Sequence, residues 1–244
     1  MTAYDYEMAR LLERAGPDIL LVGDSGGKYA LGGDDIEATM DEMVLMTRSV
    51  GRAAKRALVV GDMPFLSYQI DSRQAVANAG RFLKEARADA VKLEGGEPFA
   101  ATVKAIVAAG IPVMGHMGLT PQTALAYGGN FLSKSANVAN DQIRRDAYAL
   151  VEAGVFALVF TRVPPDLATE LTRELAIPTL AGGGSGDGCD GQVCVYHGVL
   201  GMRVEEIDNP RAAYGPVALP IYEAAKSFCE DVRAGRPVRG AAGR

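Results

Sequence analysis

Apolar and polar positions along this chain change period repeatedly. Short aliphatic runs such as Ile19-Leu20-Leu21-Val22, Ala57-Leu58-Val59-Val60 and Ala90-Val91 alternate with longer segments whose apolar residues recur at helical spacing. The first pattern suits strands buried on both faces, the second amphipathic helices that cover them. Regular alternation of the two is the mark of βα units and a parallel sheet. Strands are expected at residues 1–4 (a stub), 18–23, 57–61, 88–93, 111–115, 155–160, 177–181 and 193–197. Helices are expected at 6–15, 40–55, 71–86, 99–109, 140–153, 165–175 and 216–234. Gly16, Gly154 and Gly235 stand where helices end, and Pro165 stands where one begins.

Counting the stub, these strands make an α/β fold of the (β/α)8 TIM barrel type with a truncated first strand, one domain over residues 1–235. Residues 236–244, rich in Gly, Arg and Ala, read as a flexible tail. A doubly wound open sheet gives the same alternation, but no G-x-G-x-x-G follows the first complete strand. The run Gly182-Gly183-Gly184-Ser185-Gly186 comes only after the seventh strand. Loops at that place in barrels often bind anions through backbone N–H groups; a flexible loop is the other reading.

Composition narrows the function classes. A length of 244 residues with 48% hydrophobic and 23% charged residues supports a sizeable single core. A formal net charge of −5 without a basic run argues against nucleic acid. No apolar stretch reaches the roughly 20 residues a membrane span needs, and no targeting signal is legible at the start. Cys189, Cys194 and Cys229 are odd in number and lack metal-ligand spacing, which points to a reducing, cytoplasmic setting and incidental thiols.

The chemistry sits at strand ends. Three apolar runs close on an acid, at Asp24, Asp62 and Glu94. In a barrel, the C-terminal ends of all strands meet at one mouth, where active sites lie. Each acid alone could cap the helix that follows; three at one structural position favour a shared metal. Oxygen donors with no nearby His or Cys suit Mg2+. A 2-oxo acid could chelate such an ion through its carboxylate and keto oxygens, and chelation would polarise the ketone and stabilise the enolate formed at the next carbon. Lys92, two residues before Glu94, faces the same side of its strand, as a partner for that acid or for an anionic substrate. His116 follows the fifth strand, placed to hydrogen-bond substrate or relay a proton, with a purely structural histidine as the alternative. His197, at the end of the eighth strand, is less informative.

The segments Gly23-Asp24-Ser25, Gly61-Asp62-Met63-Pro64-Phe65, Lys92-Leu93-Glu94-Gly95-Gly96, Gly115-His116-Met117-Gly118-Leu119-Thr120-Pro121-Gln122 and Cys189-Asp190-Gly191-Gln192-Val193, in that order, resemble the ketopantoate hydroxymethyltransferase family. Thr2-Ala3-Tyr4-Asp5-Tyr6, Thr39-Met40-Asp41-Glu42-Met43 and Val163-Pro164 match as well, so the resemblance spans nearly the whole chain. It implies a barrel of the phosphoenolpyruvate mutase/isocitrate lyase superfamily. The implied reaction is one-carbon transfer from 5,10-methylenetetrahydrofolate to 3-methyl-2-oxobutanoate with Mg2+, by a homo-oligomer that is often a decamer. Position by position, the resemblance makes Asp24 and Asp62 metal ligands and sets Glu94 in or just beyond the first ligand layer. It assigns Ser25 and Lys92 to the substrate's carboxylate and keto oxygens and His116 to the reacting end.

The chain also departs from that pattern. The family's catalytic glutamate at the end of the sixth strand is Thr161 here, followed by Arg162. A threonine hydroxyl is no general base near neutral pH, whereas a tuned carboxylate is. Gly26-Gly27-Lys28-Tyr29 replaces bulkier apolar residues, the next loop is shorter, an expected histidine is Met46 and an expected aspartate is Gly198. These changes imply a relative that keeps metal and 2-oxo-acid binding while using another base, such as His116, a metal-bound water, Asp35 or Glu37, on an altered substrate. A C–C lyase or hydrolase of the superfamily, or an impaired metal- and 2-oxo-acid-binding homologue, are the alternatives.

Overall fold

The computed structural model describes residues 1–34, 36–123, 138–210 and 214–238. By its contacts the described chain falls into two compact units, one Met1–Cys194 and one from Val195 onward.

The first unit is a curled, fully parallel sheet of the TIM-barrel type, with strands in sequential order. They are β1 Ile19–Val22, β2 Leu58–Asp62, β3 Ala90–Glu94, β4 Val113–Gly118, β5 Ala157–Thr161, β6 Thr179–Ala181 and β7 Gly191–Gln192. Helices α1 Tyr6–Ala15, α2 Gly26–Tyr29, α3 Met40–Ala53, α4 Ser72–Ala86, α5 Ala100–Ala108, α6 Asn140–Ala153 and α7 Pro165–Glu174 fill the crossovers. Local chemistry starts several of them. Asp5 caps α1 through Met8 N, Thr39 and Glu42 form a reciprocal capping box on α3, and Asp71 caps α4 through Gln74 N.

Both ends of the expected strand series differ. The stub is a single bridge, Thr2 to Leu21, rather than a strand. It still spans the gap between the sheet edges: Ala3 N donates to Leu21 O and Thr2 N to Cys194 O, each at 3.0 Å. The expected strand 193–197 is also corrected. The last strand is Gly191–Gln192, and Tyr196 already opens the short helix α8, Tyr196–Val199, in the second unit. A strand at the sheet margin needs only a few ladder bonds, and here the backbone turns helical once they are made. His197 therefore lies on a helix, its ring 4.0 Å from that of Tyr196. The second unit also holds α9, Ala218–Arg233. No helix among the described residues is long and apolar enough to cross a membrane. The three cysteines are free; Cys189 is half-buried and the other two are exposed.

Register positions the site. Asp62 lies beside Lys92, Glu94 beside His116, and Gly118 beside Thr161. Because side chains alternate faces along a strand, the residues two positions earlier point to the same interior. These are Val60, Ala90, Met114 and Val159, which form one apolar cluster with Leu21 and Ala157. The barrel interior is thus an apolar floor beneath a ring of ionisable groups. Outside, Phe82 of α4 packs so tightly on Gly61 that a Cβ there would lie 2.3 Å from its ring. Glycine before Asp62 is therefore a helix-packing requirement.

Candidate functional site

The predicted residues converge on the C-terminal mouth of the sheet. Asp24, Asp62, Lys92, Glu94, His116 and Thr161 are all buried, and Ser25 is half-buried. None of the three strand-end acids caps the helix that follows it. Ser25 is the residue before α2, Asp71 caps α4, and Gly96 precedes the turn leading to α5. The acids face one another instead. Asp24 N donates to Asp62 Oδ2 at 3.2 Å, and Lys92 Nζ donates to Asp62 Oδ1 at 2.5 Å while lying 3.9 Å from Glu94 Oε1. Nδ1 of His116 is 3.2 Å from Glu94 Oε1 but off the hydrogen-bond axis, and its Nε2 is 2.7 Å from Thr161 Oγ1.

Charge here is unbalanced: three buried carboxylates face one ammonium. Burial, with Asp62 and Glu94 close by, pushes the Asp24 carboxyl well above the usual carboxylate range. Burial raises Asp62 as well, against the pull of Lys92. For Glu94 burial is outweighed by His116, Lys92 and the Gln122 N–H, which hold it below its ordinary value. Lys92 is penalised by burial, yet Asp62, Glu94 and Asp24 hold its ammonium above the ordinary lysine value.

Among the described residues, no group of three or more His, Cys, Asp or Glu side chains is arranged as a ready metal cage. Glu94 is engaged within the protein: its Oε2 accepts the Gln122 N–H at 2.9 Å. Ser25 Oγ is 2.9 Å from the hydroxyl of Tyr4, a phenol pushed up to about 12 by burial. Of the alternative acids, Glu37 is exposed and binds Asp34 N, away from this cluster, and Asp35 lies outside the described residues.

Part of the glycine run is tied into the fold. Gly182 N donates to Phe160 O, and Ser185 N to Gly182 O, so those amides are spent inside the fold. Fully buried Ser185 donates Oγ–H to Phe160 O and accepts from Val163 N. This clamps the turn carrying Thr161 and Arg162, and Arg162 adopts a left-handed φ of 53°. A Cβ on Gly182 would come within 2.5 Å of Thr161 Oγ1, so the loop passes Thr161 only as glycine.

Sequence reasoning assigned no role to Gln122 or Tyr68. Gln122 Nε2 donates to Asp24 Oδ2 at 2.8 Å, and its Oε1 accepts from the Tyr68 hydroxyl at 2.7 Å. Gln122 closes the motif that begins at Gly115, which was the one available signal; Tyr68 left none.

Comparison with known proteins agrees with this architecture. The chain matches the sequence profile of ketopantoate hydroxymethyltransferase over residues 1–237. It is 50% identical over 237 residues to the 3-methyl-2-oxobutanoate hydroxymethyltransferase of Moorella thermoacetica, covering 97% of this chain and 88% of the relative. The enzyme of that name from Clostridium beijerinckii is 45% identical over 236 residues, covering 96% and 86%. Among solved structures, 2,3-dimethylmalate lyase, a member of the phosphoenolpyruvate mutase/isocitrate lyase superfamily, superposes with a TM-score of 0.62 at 15% identity, covering 100% of this chain and 85% of that one. Phosphonopyruvate hydrolase with oxalate and Mg2+ superposes with a TM-score of 0.61 at 16% identity, covering 99% and 84%. At such identities the two structures establish the fold alone. The sequence relatives go further: this chain belongs to the ketopantoate hydroxymethyltransferase family, an enzyme family of transferase type.

Proposed function

We propose that this enzyme adds a hydroxymethyl unit to the carbon beside the oxo group of a 2-oxo acid in a Mg2+-dependent reaction. The acid named for its relatives, 3-methyl-2-oxobutanoate, is the first candidate substrate, and 5,10-methylenetetrahydrofolate is the donor implied by the family resemblance. The supporting observation is the crowding of three buried carboxyl groups at the mouth, with Lys92 as the one ammonium among them. A divalent cation is the natural counterweight, and Mg2+ usually takes one or two carboxylates and fills its other positions with water and substrate oxygens. Asp24 and Asp62 supply that pair, while Glu94 stands behind them on Gln122 and opposite His116. When bound, the ion would polarise the substrate's oxo group and so acidify the neighbouring C–H bond. The neighbour phosphonopyruvate hydrolase carries Mg2+ with oxalate, whose adjacent oxygens resemble those of a 2-oxo acid.

The protein's own groups divide the remaining work. Lys92 supplies fixed positive charge towards the substrate's carboxylate or keto oxygen, and Ser25, steadied by Tyr4, supplies a hydrogen bond. In the transfer the C–H bond beside the oxo group breaks and its electron pair forms the new C–C bond to the donor's methylene carbon. Both C–N bonds from that carbon to the folate break, and one water supplies the hydroxyl. The two folate nitrogens take up the water's remaining proton and the C–H proton, which is first held by the protein. We assign that proton to His116. With hydrogen on Nδ1, the ring nitrogen nearer Glu94, Nε2 accepts from the Thr161 hydroxyl, and a change of the Thr161 side-chain rotamer would free Nε2 to act as a base. Thr161 in place of a carboxylate also favours a second reading, a superfamily C–C lyase or hydrolase, or a binder without turnover.

Proton exchange separates these readings. In deuterated water with Mg2+, the enzyme should exchange the proton beside the oxo group of 3-methyl-2-oxobutanoate. No exchange across a panel of 2-oxo acids would exclude the transferase chemistry. Release of pyruvate or glyoxylate from candidate acids would identify a lyase.

A further inference from the structure

The turn after β4 supplies a residue for which the proposed chemistry has no task. Gln122 is 6% exposed, and its side chain is bonded on every side. Nε2 donates to Asp24 Oδ2 at 2.8 Å and to Met63 O at 3.1 Å; Oε1 accepts from the Tyr68 hydroxyl at 2.7 Å and from Gln69 Nε2 at 3.2 Å. Reversing the amide would set its oxygen against a carboxylate and a carbonyl, so the network dictates its orientation. Its backbone N–H simultaneously holds Glu94 Oε2. Tyr68, itself 1% exposed, ties the assembly back to β3, since its hydroxyl oxygen lies 3.1 Å from Glu94 N and 2.8 Å from Glu94 O.

We infer that Gln122, backed by Tyr68, is the positioning residue of the cation site: it engages one oxygen of Asp24, leaves the other for the ion, and keeps Glu94 out of contact with it. The inference rests on the reading that Asp24 and Asp62 bind Mg2+. The chemistry suits the task. A neutral amide donor steadies a carboxylate without competing for the ion, whereas a fourth acid there would add repulsion and an aliphatic side chain would let Asp24 turn away from the pair. Hydrogen-bond partners that orient metal ligands typically contribute about 10–100-fold to metal affinity.

The test is a calorimetric titration of the whole protein with Mg2+ alone, without substrate. Gln122→Leu should weaken binding by about 10–100-fold, and Tyr68→Phe should weaken it by a smaller factor, with cooperative thermal unfolding retained. A folded Gln122→Leu variant that binds Mg2+ as well as the parent, or more tightly, overturns the inference. Should Gln122→Leu not fold, Tyr68→Phe decides alone, and unchanged affinity there overturns it equally. A parent protein that binds no Mg2+ at all has a different signature, because it removes the metal reading itself along with its positioning residue.

Discussion

Replacing Lys92 with methionine tests the electrostatic frame of the site most directly. The ammonium lies 2.5 Å from Asp62 Oδ1 and 3.9 Å from Glu94 Oε1, with all three side chains almost fully buried. At an effective dielectric constant of about 20, such contacts attract by roughly 7 and 4 kcal/mol. Most of that offsets the loss of hydration, and removing one partner of a buried pair typically costs about 3–5 kcal/mol. In a chain of this size each kcal/mol moves the melting temperature by roughly 2–4 °C, so the expected fall is on the order of 6–20 °C. Thermal unfolding followed by circular dichroism, without Mg2+ and near neutral pH, measures it. The double variant Lys92→Met/Asp62→Asn should regain at least half of the loss, because it removes the uncompensated charge along with the pair. The pH dependence follows from the raised Asp24 and Asp62 carboxyls. A group whose folded pKa is raised contributes stability that is complete below its unfolded value and is lost as pH climbs through the folded one. The deficit of Lys92→Met should therefore be smallest in mild acid and grow towards neutrality. A single variant that melts with the parent, or a double variant no better than the single one, would refute this reasoning.

Mg2+ affinity should rise with pH through the raised titration of Asp24, since the ion displaces its proton, and calorimetry in buffers of different ionisation enthalpy should register proton release; pH-independent binding with no proton release would contradict it. Thr161→Glu places a carboxylate at the end of β5 and should accelerate substrate proton exchange by about 10²–10⁴-fold; unchanged exchange would mean that Thr161 does not border the reacting carbon. Ser185→Ala removes the partner of the Val163 N–H in a fully buried position, while Phe160 O keeps the Gly182 N–H, and should cost about 1–3 kcal/mol in urea unfolding, with an unaltered midpoint counting against the clamp.

Much of this protein was legible in one dimension. Buried parallel strands and the helices between them carry different periodicities, so β1 to β6 fall where the apolar runs lie and α1 and α6 match their expected bounds. Parallel strands in barrels deliver their C-terminal ends to one mouth, so Asp24, Asp62, Lys92, Glu94 and His116 could be grouped before any distance was known. The margins were less legible. At 1–4 and 193–197 the pattern suggested strands, but pairing partners were available for only a few ladder bonds, and such bonds form only where the folded sheet offers an open edge.

What the sequence by itself determined is the class of fold and the identity of the charged residues, because both follow from local periodicity and from position on a strand. Only the tertiary structure decided how those charges are shared. Register set His116 against Glu94 and Lys92 against Asp62, the β4 turn brought Gln122 onto Asp24, and the glycine loop showed itself to be a clamp on Thr161. Hydrogen bonds between residues up to 98 positions apart leave no periodic trace in a chain. They exist only where packing has placed a donor and an acceptor within about 3 Å of each other.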